Sequence, residues 1–134
     1  MITRVPGYAQ EEGNIVIGQW RFTKLLDSSE ITALNDKGAR RLLGKVFTIS
    51  REKVKFGNRE CLPPSLDEQW VEPRLYLPEQ AHASAENLHL TNPIIVVELG
   101  CTIAFVRDSE RLVIHWKGWF FDAVRLRRIP VQRK

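Results

Sequence analysis

Two cysteines, Cys61 and Cys101, have the spacing that most clearly implies a chemistry in this chain. Each borders a stretch typical of β-strands, and forty positions separate them. If paired, they close a loop of about 40 residues, which in the chain-entropy model stabilises a fold by about 4 kcal/mol. The alternatives are two inert buried thiols or one reactive thiol, but the chain has no Cys-x-x-Cys motif of a redox enzyme. We therefore predict a structural disulfide between Cys61 and Cys101.

The three histidines, His82, His89 and His115, offer no compact metal-binding pattern. His82 and His89 flank Glu86 in a polar segment, but their spacing matches no compact pair of ligands on a helix or a strand. We interpret both as solvated loop residues. His115 and Ile114 are adjacent on a predicted strand, so their side chains are on opposite faces of the sheet. The imidazole of His115 is therefore on the exterior of the barrel wall or, if its face is interior, in contact with a ligand.

No arrangement in the sequence predicts acid–base or nucleophilic catalysis. Asp122 alternates with Phe121 on the last predicted strand, where it would anchor a ligand or act as a base only if its face were interior. We expect it to be solvated. Catalysis by an acid and a base needs two groups aimed at one site, and the chain has neither a nucleophile elbow nor a phosphate-cradling glycine loop. The sequence therefore predicts a protein that is not an enzyme, with no cofactor and no metal site.

The net charge of +4 is concentrated at the carboxyl end of the chain. Residues 125–134 contain five cations and no acid, which leaves 15 cations against 16 acids in residues 1–124. A neutral body with a short basic tail lacks the positive surface of a dedicated nucleic-acid-binding protein. We therefore predict no nucleic-acid partner. The alternative is a cytoplasmic module that contacts nucleic acid through the basic tail. No apolar run reaches the roughly 18 to 20 residues that span a bilayer.

Short apolar runs between prolines and glycines predict strands in the first half of the chain. Residues 14–26 form the first predicted strand, and residues 46–50 and 54–56 form a hairpin. Between them, Asn35 is a suitable N-cap for a helix of about two turns that ends at Gly44.

The carboxyl-terminal third predicts a β-meander. Its connections are so short that only antiparallel neighbours are possible. The predicted strands cover residues 94–97, 102–106, 111–116 and 119–126. The preceding part is less regular: we expect short strands at 70–71 and 75–77, and a loop or marginal helix over 78–92.

Together these elements predict an all-β protein with a single domain over residues 14–128. We expect a closed antiparallel barrel of about eight strands, with one short helix between the first two, because closure removes exposed sheet edges. Residues 1–13 are predicted to be a flexible lead-in, and residues 129–134 a basic tail.

The motif Gly18-Gln19-Trp20, together with a late arginine, resembles the lipocalin and wider calycin pattern. In that superfamily the tryptophan sits at the closed end of an eight-stranded barrel, and the arginine packs across it. The resemblance implies a barrel end built by Gly18, Trp20 and Arg125, with Arg127 as the fallback. The helix between the first two strands is more similar to fatty-acid-binding proteins.

A second resemblance covers roughly residues 16–61 and 94–127. The chain is similar there to small uncharacterised exported bacterial proteins with lipocalin-like barrels. The residues that carry this resemblance are Ala33-Leu34-Asn35-Asp36, Ala39, Leu42-Leu43-Gly44-Lys45, Val54, Phe56, Cys61, Gly118, Phe120-Phe121 and Arg125.

The expected function is the binding of a small hydrophobic ligand inside the barrel. Aromatic side chains suit a flat apolar ligand, although they also serve as ordinary barrel core. The predicted ligand-binding residues are Phe22, Phe47, Phe56, Trp116 and Phe121. The alternative is an inhibitor or immunity-type protein that blocks a partner hydrolase or toxin through its rim loops. Trp70, beside prolines in the irregular segment, is the candidate for that protein contact.

The expected location is the periplasm or the outside of the cell, because disulfides persist in oxidising compartments. The first residues lack the apolar stretch of a signal peptide, so this expectation requires a mature form without its leader. A cytoplasmic protein with reduced thiols is the alternative. The sequence does not predict an oligomeric state.

Overall fold

The computed structural model of the chain describes residues 14–61 and 65–126. The predicted lead-in and basic tail lie outside the described residues, as does Arg127. The described part forms nine strands, two α-helices and a single 3-10 turn at Asn14–Val16. The strands are β1 (Gly18–Ser28), β2 (Val46–Ile49), β3 (Val54–Phe56), β4 (Arg59–Cys61), β5 (Glu68–Val71), β6 (Ile94–Glu98), β7 (Ile103–Asp108), β8 (Arg111–Trp116) and β9 (Trp119–Arg125). The helices are α1 (Asp36–Arg40) and α2 (Pro73–Ala81).

All nine strands belong to one antiparallel sheet in the order β4-β3-β2-β1-β9-β8-β7-β6-β5. The sheet curls into a half-barrel. The predicted all-β class, the helix between the first two strands and the four-stranded meander are confirmed. The prediction of a closed barrel of about eight strands is wrong, because β4 and β5 remain the two edges of the sheet.

The shortness of the two edge strands explains why the barrel stays open. β4 has three residues and β5 has four, so neither offers a long ladder of backbone groups for joining the edges. The residues just before β5 form backbone hydrogen bonds with the end of β6 instead. The amide of Leu66 donates to the Glu98 carbonyl at 3.0 Å, and the amide of Glu98 donates to the Asp67 carbonyl at 3.0 Å.

Alternating side chains on the sheet form two separate cores. The first lies on the concave face and draws on the strands from β1 to β3 and from β6 to β9; its largest members include Trp20, Phe22, Phe47, Phe56, Trp116 and Phe121. The second lies on the outer face of β6 to β9, under α2 and the segment that follows it; its members are Val71, Leu77, Ala81, Leu88, Ile94, Val96, Phe105, Val113 and Phe120. The meander is therefore buried on both faces, unlike the wall of a simple barrel.

Helix α1 begins where the capping pattern predicts. The Asn35 side chain accepts a hydrogen bond from the Gly38 amide at 2.7 Å, as an N-cap should. Asp36 and Arg40 pair one turn apart at 2.7 Å. The following turns end at Gly44, whose positive φ of 89° suits glycine.

Helix α2 replaces the strand predicted at residues 75–77 and includes the first four residues of the predicted loop or marginal helix over 78–92. Pro73 stands in the first turn, where its missing N–H removes no helical hydrogen bond. Leu77 and Ala81, four residues apart, are buried on the outer core. The packing of these two side chains on the outer core therefore stabilises the helix, although Pro78 lies in its interior.

Candidate binding surfaces

The five aromatic residues predicted to line a ligand cavity lie together in the concave core. The ring centroids of Phe22 and Phe121 are 4.5 Å apart, and those of Phe22 and Phe56 are 4.8 Å apart. The Trp116 ring meets Phe47 edge-on at 5.4 Å. Each of the five is at most 7% exposed. The structure thus brings these rings into contact with one another, so they fill the space that a ligand was expected to occupy.

The three residues predicted to form a barrel end also come together. The Arg125 guanidinium lies over the Trp20 ring and donates to the carbonyls of Ile17 at 2.9 Å and Ile15 at 2.6 Å. A methyl group on Gly18 would lie 2.8 Å from Nη1 of Arg125, so the small residue makes room for the guanidinium. The three residues thus meet at one end of a sheet that is not closed.

Cys61 and Cys101 form a disulfide, with their Cα atoms 5.8 Å apart. The bond ties the end of edge strand β4 to the turn between β6 and β7. The disulfide therefore links one edge of the half-barrel to the turn after β6, the strand that neighbours the other edge. A disulfide is typical of a protein from an oxidising compartment. Within the described ranges, no helix has the length and apolar character to cross a membrane.

A cleft of about 770 Å³ opens on the outer side of the molecule; we call it the outer cleft. One wall is the carboxyl end of β1 with the two residues after it, and the other is α2 with the segment that follows it. Its lining residues are Asp27, Ser28, Ser29, Glu30, Pro73, Arg74, Pro78, His82, Ala83, Ser84, Ala85, Glu86, His89, Leu90 and Asn92.

Arg107 attaches the segment after α2, which forms one wall of the outer cleft, to the sheet. Its Nε donates to Asp122 at 2.9 Å, and its two terminal nitrogens donate to the carbonyls of Leu88 at 2.7 Å and His89 at 2.8 Å. The expectation that Asp122 is simply solvated is therefore corrected: its side chain is 26% exposed and forms an ion pair. The guanidinium of Arg107 thus holds the wall that carries His89, together with the buried Leu88 and a hydrogen bond from Asn87 to Asp27.

Ser29 and His115 form a polar contact at the base of the outer cleft. The Ser29 hydroxyl lies 3.1 Å from Nε2 of His115, and the imidazole stacks on Phe120 with centroids 4.4 Å apart. Burial lowers the pKa of His115 below its usual range, so the imidazole is neutral at neutral pH. His115 thus faces the outer core, not the concave one. Sequence reasoning missed Ser29, since a serine after a turn carries no signal of its burial.

The histidines of the polar segment, His82 and His89, both line the outer cleft beside Glu86. Among the described residues no three histidine, cysteine, aspartate or glutamate side chains are grouped to hold a metal ion. The three residues are near neighbours without forming a ligand set. Their contribution to the cleft is polar surface.

A second cleft of about 600 Å³ lies at the open end of the concave face; we call it the mouth cleft. The disulfide forms one side, and the ring of Trp116 connects the cleft to the aromatic core. Its lining residues are Arg59, Glu60, Cys61, Gly100, Cys101, Thr102, Trp116 and Lys117. Of the five rings expected to bind a ligand, Trp116 alone borders either of these two clefts.

Trp70 and Leu75 are large apolar side chains left in solvent, at 65% and 68% exposure. Trp70 is on edge strand β5 and pairs with Ile95 on β6. Ile95 packs on the concave core. The Trp70 side chain is therefore on the same face of the sheet as that of Ile95. Leu75 follows on the first turn of α2, so both residues belong to the corner where β5 meets that helix.

No protein-family model, no curated protein and no solved structure matches the chain.

Proposed function

We propose that the protein is a non-enzymatic binding module that recognises a partner protein through the corner between β5 and α2. The observation that carries this proposal is the exposure of Trp70 and Leu75, at 65% and 68%, on neighbouring elements. Tryptophan is enriched among the residues that dominate binding energy at protein interfaces. Both side chains lie within six residues of the chain, and exposed apolar surface of this kind marks interaction sites.

The rigidity of the corner also favours a protein partner. Leu77 and Ala81 fix α2 on the outer core, and Val71 at the end of β5 is buried in the same core. A surface held in this way loses little conformational entropy when it binds, which strengthens affinity. The role fits an inhibitor or immunity-type protein that covers part of a hydrolase or toxin.

The outer cleft extends the same surface. Pro73, Arg74 and Pro78 of α2 line it, and Leu75 lies in the same helix. A partner that packs on Leu75 has a polar recess next to the apolar contact. That combination of an apolar anchor with surrounding polar groups is characteristic of specific interfaces.

The ring contacts of the concave core favour this function over a hydrophobic ligand within the core. Phe22 already contacts Phe56 and Phe121 at centroid distances below 5 Å. A ligand among them would have to separate rings that are packed together, at a cost in lost contacts. We further propose a periplasmic or secreted location, which the disulfide supports.

Site-specific photo-crosslinking tests the proposal. A benzoylphenylalanine replaces Trp70 or Leu75 in the full chain, in the cells that make the protein, and Lys37 on exposed α1 is the control position. We expect one discrete adduct from positions 70 and 75, none from position 37, and its loss when excess wild-type protein competes. Adducts that are identical from all three positions, or none at all, would contradict the proposal.

The partner identified from the adduct is then purified and measured directly. The double variant W70A/L75A should raise its Kd at least about tenfold, whereas K37A, at an exposed position on α1 that lines neither cleft, should leave it within about twofold. Inhibition of the partner's activity by the wild type, and not by W70A/L75A, distinguishes an inhibitor from a simple binding protein.

A further inference from the structure

We infer that the mouth cleft binds a small planar aromatic anion, such as an aryl carboxylate or sulfonate. This site is separate from the surface proposed for the protein partner, and it differs from the predicted ligand site inside the concave core. Its volume of about 600 Å³ is within the usual range for small-molecule sites. The inference depends on an aromatic edge, two cations without an ion pair in the described part of the chain, and a firm wall, which meet in one cleft.

Trp116 provides the aromatic surface. It is 7% exposed, and its ring is held edge-on by Phe47 at 5.4 Å and by Phe56 at 5.3 Å. Its position is therefore fixed before any ligand arrives. Aromatic ligands gain from stacked or edge-on contact with such a ring.

Arg59 and Lys117 provide the positive charge. Arg59 pairs with Phe56 across β3 and β4, so its side chain is on the concave face beside the aromatic core. Lys117 follows Trp116 directly in the turn before β9. Among the described residues neither side chain forms an ion pair. The cleft's carboxylate, Glu60, is bonded to Lys53 at 3.1 Å, which reduces its repulsion of an anion.

The disulfide provides the wall. Cys61 and Cys101 line the cleft together with Gly100, whose lack of a side chain keeps that side open. Sulfur atoms make favourable contacts with the edges of aromatic rings. The whole cleft therefore complements a molecule with apolar rings at one end and a carboxylate or sulfonate at the other, close to the two cations.

A pair of fluorescent probes separates ring recognition from charge recognition. 8-Anilinonaphthalene-1-sulfonate carries a sulfonate, whereas N-phenyl-1-naphthylamine has the same rings without it. The variants are Arg59→Gln and Lys117→Asn, since asparagine tolerates the positive φ of 53° at position 117. Lys37→Gln on α1 is the control for a general loss of positive charge.

We expect the sulfonate probe to bind the oxidised wild type saturably with one site. The double variant R59Q/K117N should weaken that binding at least about fivefold. Binding of the uncharged probe should change less than twofold, and K37Q should change neither. Thermal unfolding of each variant shows whether it is folded, and amide and indole NMR shifts should locate the probe at Gly100, Thr102 and Trp116.

Three outcomes would overturn the inference. Both probes could lose affinity equally in R59Q/K117N, the shifts could fall in the outer cleft, or the sulfonate probe could fail to bind saturably. None of these depends on Trp70 or Leu75. The W70A/L75A variant should bind the sulfonate probe like the wild type, so the two proposals fail independently.

Discussion

The guanidinium of Arg125 lies over the ring of Trp20, with its central carbon 4.3 Å from the ring centre. The Trp20 indole donates to the Val16 carbonyl at 2.9 Å, and Nε of Arg125 donates to the Ser109 carbonyl at 2.9 Å. This cation–π pair therefore joins β1, β9 and the turn before β8 at one end of the sheet. Because β1 and β9 are central in the strand order, the two halves of the half-barrel meet here.

The variant Gly18→Ala should lower the free energy of unfolding by about 1 to 3 kcal/mol. Gly18 has a φ of 143°, and an added methyl would lie 2.8 Å from Nη1 of Arg125. Gly57→Ala is the matched control, because its φ of 62° is also positive but nothing lies within 4 Å of the added methyl. Denaturant unfolding should show a clearly larger loss for Gly18→Ala; equal losses would show that Arg125 moves away freely.

The variant Arg107→Ala should loosen the wall of the outer cleft more than it lowers global stability. Its removal leaves Asp122 without its cation and the carbonyls of Leu88 and His89 without their donor. For a partly exposed group we expect a cost of about 2 kcal/mol. Hydrogen exchange should speed up over residues 82–92 while β8 and β9 stay protected. Arg107→Lys keeps the charge but cannot bridge three acceptors, so it should restore little; full restoration would contradict this role.

Local patterns in the sequence were sufficient to predict those strands that pair with the next strand along the chain. The turns at Asp108 and Gly118 predicted the meander, and Asn35 predicted α1. Barrel closure could not be predicted in this way. It depends on how β4 meets β5, two short strands whose pairing is not set by a tight turn.

The outer core was the larger omission. The sequence left the face of His115 open and predicted a solvated Asp122, whereas both have partners on the outer face, Ser29 and Arg107. Those contacts join positions 86 and 15 residues apart. The apolar pair of Leu77 and Ala81 was the signal available for α2, and the surrounding prolines concealed it.

The stability of the protein should fall as the pH is lowered below about 6.5, the usual pKa of histidine. Burial lowers the pKa of His115 in the folded state, where its imidazole contacts Ser29 and Phe120. Between the two pKa values the unfolded chain binds more protons, so protonation favours unfolding. His115→Gln should flatten this dependence in urea titrations between about pH 5 and pH 7.5. The exposed His82→Asn is the control, and a His115→Gln profile parallel to the wild type would disprove the assignment.

Removing the disulfide should destabilise the protein by about 4 kcal/mol, as expected for a loop of about 40 residues. This is a large share of the typical total for a domain of this size. The double variant C61S/C101S should also lose hydrogen-exchange protection in β4 first, since that edge strand pairs only with β3. Strands β7 to β9 have partners on both sides and should keep theirs. Unfolding of the wild type with and without a reductant provides the comparison. An unchanged free energy after reduction would mean that backbone pairing alone holds β4, and that the disulfide between β4 and the turn after β6 contributes nothing to the fold.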